Sequence, residues 1–234
     1  MNRKEFLDGV RMGLPVCIGY LSVSFGFGAM AVAQGLHIFQ SVLMSALNLT
    51  SAGQFAGLTV LTTGSAILEL ILIQLVINSR YALMSMALGQ RLGPEATIPR
   101  RMAAAFFNTD EVFALGMGRR GKLTVSYFTG AGTVAALGWV VGTALGAVAG
   151  SLLPEAVRTA MSTLLYGMFI AVVIPQARRE KPMAVCMLLA LVFSCLFTWV
   201  PLLNTVSAGL SIVICTVAAA AVCALLFPVE EDGQ

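Results

Sequence analysis

The sequence predicts an all-α fold, a polytopic integral membrane bundle of about six to eight segments, some broken or re-entrant. Between Met12 and Leu68 the chain carries no Lys, Arg, Asp or Glu, a run of 57 residues. Leu123–Pro154, Thr159–Ala177 and Pro182–Val229 lack the same four residue types. Only 11% of the chain is charged and 58% is hydrophobic, against about 25% charged in globular domains. A hydrocarbon core takes about 20 apolar residues per helix, so the first run alone holds about two passes. Stretches such as Ile67–Ile77 and Met187–Leu196 do not alternate apolar with polar, which argues against a β-barrel. Apolar segments recur throughout, so residues 1–234 read as one helical transmembrane domain. Its first half, 1–122, carries broken helices and polar motifs, and its second half, 123–234, carries four regular spans.

The N-terminus, Met1–Arg11, holds charges of both signs and no small-residue cleavage site, so it is not read as a cleavable signal. Three apolar stretches follow, Gly13–Ala33, Ser41–Leu61 and Ala66–Leu88. Basic clusters mark cytoplasmic segments. Three full crossings from a cytoplasmic N-terminus would leave Arg91, Arg100 and Arg101 outside. One segment is therefore expected to be re-entrant or broken. Gly19, Gly26, Gly28 and Gly35 puncture the first stretch, and Asn48-Leu-Thr-Ser-Ala-Gly-Gln54 punctures the second. Arg101–Gly118, with Asn108-Thr-Asp-Glu111, is too polar for an easy span. It reads as an interfacial or a second broken segment, placed on the cytoplasmic side by the three arginines.

The second half parses as spans within Leu123–Gly150, Ala160–Pro175, Met183–Val200 and Val206–Leu226. The basic Arg178–Lys181 loop and the acidic tail Glu230–Asp232 fall inside, so both termini are expected in the cytoplasm. Gly138, Gly142, Gly146 and Gly150 recur at every fourth residue, leaving one helix edge bare for close packing by a neighbouring helix or a partner subunit. No sequence repeat between the halves is evident.

Polar groups kept in lipid mark functional positions. Arg80 sits well inside the third stretch, where an arginine costs about 2.5–3.5 kcal/mol. Either it snorkels from a helix end or it meets a carboxylate of protein or substrate. Glu69 shares its helix face three turns away, too far for contact, and Asn78 lies on another side. Asn48, Ser51, Gly53 and Gln54 resemble an unwound segment offering hydrogen bonds to a substrate, or else bonds between helices. Asp110 and Glu111 either close a helix N-terminus capped by Thr109 or serve proton coupling or an ammonium group.

Other features carry less. The single histidine, His37, lies in Gly35-Leu-His-Ile-Phe39 without a nearby carboxylate. The five cysteines sit in apolar stretches at spacings that fit neither zinc nor a disulfide framework. Gly116-Met-Gly-Arg-Arg-Gly-Lys122 matches most of a phosphate loop, yet Leu123 stands where Ser or Thr must reach magnesium. No cofactor, metal site or nucleotide-driven transport is expected. No continuous basic face with aromatics suggests nucleic acid.

The same residues carry a family resemblance. Gly13-Leu-Pro15 with Gly19-Tyr20 and Phe25-Gly26 comes first, then Ser51-Ala-Gly-Gln-Phe55. Asn78-Ser-Arg80 follows, and then Thr109-Asp-Glu111 after paired phenylalanines. In this order over the first half, the chain resembles the AzlC family, the larger membrane subunit of bacterial branched-chain amino acid exporters. Two positions depart: Tyr81 stands where the family carries His, and Leu21-Ser22 replaces a family proline. The resemblance implies secondary export of leucine, isoleucine and valine across the bacterial inner membrane, with methionine a further candidate. It also implies a small hydrophobic AzlD-type partner subunit. A passive channel, an exporter of another small amphiphile, a membrane-embedded enzyme and a non-transporting assembly subunit stay open as alternatives.

Overall fold

A computed structural model describes residues 2–64, 66–93, 96–152, 154, 174, 177–178, 180–201, 203 and 205–228. Among them are nine helices and no strand: α1 Arg3–Ala33, α2 Ile38–Leu47, α3 Ser51–Thr63, α4 Ile67–Arg91, α5 Ile98–Phe106, α6 Asp110–Met117, α7 Val125–Leu152, α8 Lys181–Trp199 and α9 Ala208–Leu226. Five of these, α1, α4, α7, α8 and α9, are long and apolar enough to cross a membrane. The expected span Ala160–Pro175, apart from Ile174, and the acidic tail Glu230–Asp232 lie outside the described residues.

The chain forms two compact units. One comprises Met1–Phe55 and Asn78–Leu165, the other Ala56–Ile77 and Tyr166–Gln234. The axis of the first unit is the pair α1 and α7. Gly9 and Gly13 of α1 lie against Tyr127 and Ala131, and Gly28 against Thr143 and Ala147. From the other side, Gly138, Gly142, Gly146 and Gly150 of α7 lie against Cys17, Leu21, Phe25 and Ala29. Both series rise together, so the helices run parallel. At most of these positions the nearest atom is the neighbour's backbone, a separation that only residues without a side chain permit.

The first stretch departs from expectation. Gly19, Gly26 and Gly28 do not break α1, which is continuous for 31 residues. A helical glycine costs about 1 kcal/mol relative to alanine, a small term beside the helix-long contact with α7. What ends α1 is Gly35, at φ +95°. Leu36 N–H donates to Ala31 O and Gly35 N–H to Val32 O, each at 3.0 Å, the paired bonds of a glycine-closed C-terminus.

The second stretch is broken as expected. α2 opens at His37, whose backbone N–H donates to Gln40 Oε1 at 2.9 Å. It stops at Asn48, which turns extended. Asn48 Oδ1 accepts from Thr50 N–H at 3.1 Å, and Thr50 Oγ1 accepts from Gly53 N–H at 3.1 Å. These side chains replace the backbone partners lost at the interruption. The polar segment Arg101–Gly118 is the second broken pair. α5 ends at Phe106, and α6 restarts after Thr109, its N-cap, with Asp110 and Glu111 in its first turn. Carboxylates there complement the helix dipole.

The α5–α6 pair is a hairpin that returns to the end it left. Its bend places Phe107 against Gly132 of α7, while Gly116, near the end of α6, lies against Phe128 and Leu123. Around that end, Arg119 pairs with Glu5 at 2.7 Å, and Arg91 donates to Arg119 O at 2.9 Å. Asn2 N–H reaches Ser126 Oγ at 2.9 Å. Arg101 donates to Ala96 O and Gly89 O, each at 2.9 Å, satisfying carbonyls around the end of α4. The α2–α3 pair approaches α7 from the opposite end: Ser45 meets Thr143, and Phe55 packs on Phe27 at 5.2 Å between ring centroids.

In the second unit α8 and α9 pack on one another, with Cys223 Sγ donating to Pro182 O at 3.2 Å. Gly209, in the first turn of α9, lies against Glu69 and Ile73 of α4. The cysteines are free thiols.

Candidate functional site

A second set of charged and polar groups of the first unit, apart from those at the Arg119–Glu5 end, meets near the middle of its axial helices. Arg80 lies eleven residues before Arg91, the last residue of α4, so it sits within the helix and not at its end. Its Nη1 is 2.6 Å from Asp110 Oδ2, and the two side chains remain 46% and 43% exposed. Neither member of this ion pair is buried in the chain. Arg80 Nη2 also reaches Tyr81 Oη at 3.4 Å, with the guanidinium over that ring. Tyr81 thus orients the arginine without adding charge. Asn78 is half-buried, two residues before Arg80 on the same helix.

Glu111 accepts a short hydrogen bond from Tyr20 Oη of α1. Tyr20 meets Trp139 of α7 edge-on, ring centroids 5.3 Å apart. Trp139 Nε1 donates to Gln54 Oε1 at 2.9 Å. Gln54 Nε2 donates to Ser45 Oγ at 2.6 Å, and Ser45 is 2.7 Å from Thr143 Oγ1. Gln54, Ser45 and Thr143 are fully buried and Trp139 is 1% exposed. A continuous line of contacts thus joins the first turn of α3 to the first turn of α6. Asn108, at the second break, is nearly buried and donates from Nδ2 to Ser85 Oγ at 3.1 Å, tying the bend to α4.

Of the residues singled out in the sequence, Arg80, Asp110 and Glu111 come together, and Gln54 joins them through Trp139 and Tyr20. Gln54 is sealed in protein, with both ends of its amide engaged. Asn48 turns its side chain to Thr50 N–H, and Gly53 donates to Thr50 Oγ1, so both serve the local break. Ser51 is half-buried in the first turn of α3. Glu69 belongs to the other unit. Ser45, Thr143, Tyr20 and Trp139 were not singled out as site residues. The aromatic pair had a signal, since Tyr and Trp ordinarily anchor at membrane interfaces. These two sit near the midpoints of long spans.

Residues 15–153 match the family described as AzlC protein. That is more than half of the chain. The chain belongs to the AzlC family. Its relatives include the inner membrane protein YgaZ of Escherichia coli K12, 27% identical over 77% of this chain and 76% of the relative. An uncharacterized membrane protein of Archaeoglobus fulgidus is 30% identical over 74% of this chain and 76% of its own length. One from Helicobacter pylori 26695 is 28% identical over 48% of each. No solved structure matches significantly. The AzlC match ends one residue past α7, so it contains every residue of the Arg80 and Trp139 clusters and none of α8 or α9. This AzlC protein is a multi-pass helical membrane protein.

Proposed function

We propose that this AzlC protein is a secondary transporter that exports leucine, isoleucine and valine, with methionine as a further substrate. It works in the bacterial cytoplasmic membrane with a small hydrophobic AzlD-type partner subunit. The observation that carries this reading is the half-exposed pair of Arg80 and Asp110 at a helix break. A zwitterion offers both partners in exchange: its carboxylate takes the guanidinium of Arg80, and its ammonium takes the carboxylate of Asp110. The exchange replaces one ion pair with two when cargo binds and restores the one when it leaves, so no charge is stranded in a low-dielectric site. Glu111, tied to Tyr20, is the titratable group left for proton coupling. Broken helices at this depth fit a transporter's substrate site.

The test is efflux of radiolabelled leucine from preloaded cells, with and without the partner and an uncoupler. Partner-dependent, uncoupler-sensitive efflux is expected. Arg80→Ala at equal membrane abundance should abolish it. Wild-type efflux from that variant would remove Arg80 from the site, and leucine flux absent with every partner tried would remove the amino acid assignment.

A further inference from the structure

Helices α2, α3 and α4 form a sequence of short helix, break, short helix and long helix, and α5, α6 and α7 repeat it. The corresponding elements start 60, 59 and 58 residues apart: Ile38 and Ile98, Ser51 and Asp110, Ile67 and Val125. The long helices end at Arg91 and Leu152, 61 apart. Each break holds an asparagine, Asn48 or Asn108, and ends on a threonine, Thr50 or Thr109, immediately before the second short helix. The two copies point in opposite directions. The end of α4 and the start of α7 meet at Leu92 and Leu123, which form an isolated bridge. The α5–α6 hairpin opens toward that basic end. The α2–α3 hairpin follows Ala33, at the far end of α1, and its Ser45 and Phe55 lie at the level of Thr143 and Phe27, beyond the midpoints of α7 and α1. Side chains just past both tips reach those midpoints, where Gln54 bonds Trp139 and Glu111 bonds Tyr20, while Phe107 at the second tip lies against Gly132.

We propose that residues 38–91 and 98–152 are inverted copies of one unit, that their hairpins enter the membrane from opposite faces as the two gates, and that Tyr20 and Trp139 link the gate tips. Inverted repeats place their site at the interface between copies and exchange roles as the transporter opens to one side and then the other. Non-helical backbone at that depth survives only within protein or beside a cavity; Asn108 and Thr109 of the second break are buried, and Asn48 and Thr50 of the first are half-buried. The arrangement also resolves the charge parity. With α2–α3 and α5–α6 each returning to its own side, Arg91, Arg101, Arg119 and Lys122 fall on the side of Arg3 and Lys4, as cytoplasmic clusters should. The inference rests on the transport part of the reading above and is indifferent to the cargo.

The test places single cysteines at Gln34, Thr63, Gly93 and Arg120 in a chain whose own cysteines are alanine. A membrane-impermeant thiol reagent is then applied from each side. Gln34→Cys and Thr63→Cys should label from one face, and Gly93→Cys and Arg120→Cys from the other. Either pair split between faces would make that hairpin a full crossing and overturn the inverted repeat. If the cysteine-free chain does not accumulate, epitope insertions at the same positions, read in intact and permeabilised cells, report the same topology. For the link, the labelling rate of Ser51→Cys should rise several-fold when Glu111→Gln weakens the tie on the other hairpin. An unchanged rate would separate the two gates. Neither readout uses leucine, so a wrong substrate and a wrong topology fail in different experiments.

Discussion

Arg80 and Asp110 show how a charged pair serves transport more than stability. Removing both partners together takes out two opposite charges and strands neither, so the double loss should not unfold the protein. Removing one partner is different, because it leaves a lone charge in a low-dielectric site. Arg80→Gln and Asp110→Asn singly should therefore lower the amount of monodisperse protein recovered in detergent, and the double variant should recover most of it. All three should lose leucine efflux. Fluorescence-detected size exclusion beside efflux measures both quantities. A double variant no better than the singles would mean the pair has no mutual role. Arg80 and Asp110 were legible as residues because charge is conspicuous in lipid. Their pairing was not, since 30 positions and two helix ends separate them and only the fold brings them together.

At the scale of elements, the glycines divide by what faces them. An alanine Cβ at Gly146 would meet the backbone carbonyl of Phe25, whereas one at Gly26 or Gly19 would meet nothing within 4 Å. Backbone cannot swing aside as a side chain can, so Gly146→Ala must push α1 and α7 apart. Overpacking of this kind costs about 1–3 kcal/mol. Gly26→Ala gains helix propensity, up to about 1 kcal/mol. Thermal melts in detergent should show Gly146→Ala destabilised and Gly26→Ala unchanged or stabilised. Equal effects would mean that the α1–α7 contact does not set stability. The same contrast explains which elements could be read from the sequence. The four-residue period of α7 announced close packing. Glycines in α1 suggested breaks because composition alone cannot tell a glycine that frees the backbone from one that admits a neighbour. Asn48–Thr50 was legible because its side chains carry their own backbone partners into the interruption. The 60-residue repeat left almost no sequence trace: its copies share a break and a length, while Asn78 and Arg80 of one correspond, at an offset of 60, to Gly138 and Val140 of the other.

At the scale of the molecule, chain order and compact units do not coincide. The segment Ala56–Ile77, from the middle of the first half, belongs with Tyr166–Gln234 and not with its own neighbours. Gly209 against Glu69 and Ile73 is one physical basis for that grouping. A sequence cut after α7 therefore divides the second unit between two fragments while leaving the described helices of the first unit on one of them. Fragments 1–152 and 153–234, co-expressed, should associate through the second unit and co-purify. Gly209→Phe, which places a ring where Glu69 and Ile73 lie, should weaken that association. Fragment 1–152 alone should enter the membrane, because α1, α4 and α7 are each long enough to cross. It should carry no flux, since the start of α4 then lacks its partner helices. Pull-down through a tag on fragment 153–234, beside efflux from the same cells, reads both outcomes. Recovery of 1–152 insensitive to Gly209→Phe would show that the fragments associate elsewhere, and full flux from 1–152 alone would show that α8 and α9 are dispensable to transport. The AzlC match ends at residue 153, so this cut also separates the part of the chain carrying the family signature from the part that supports it.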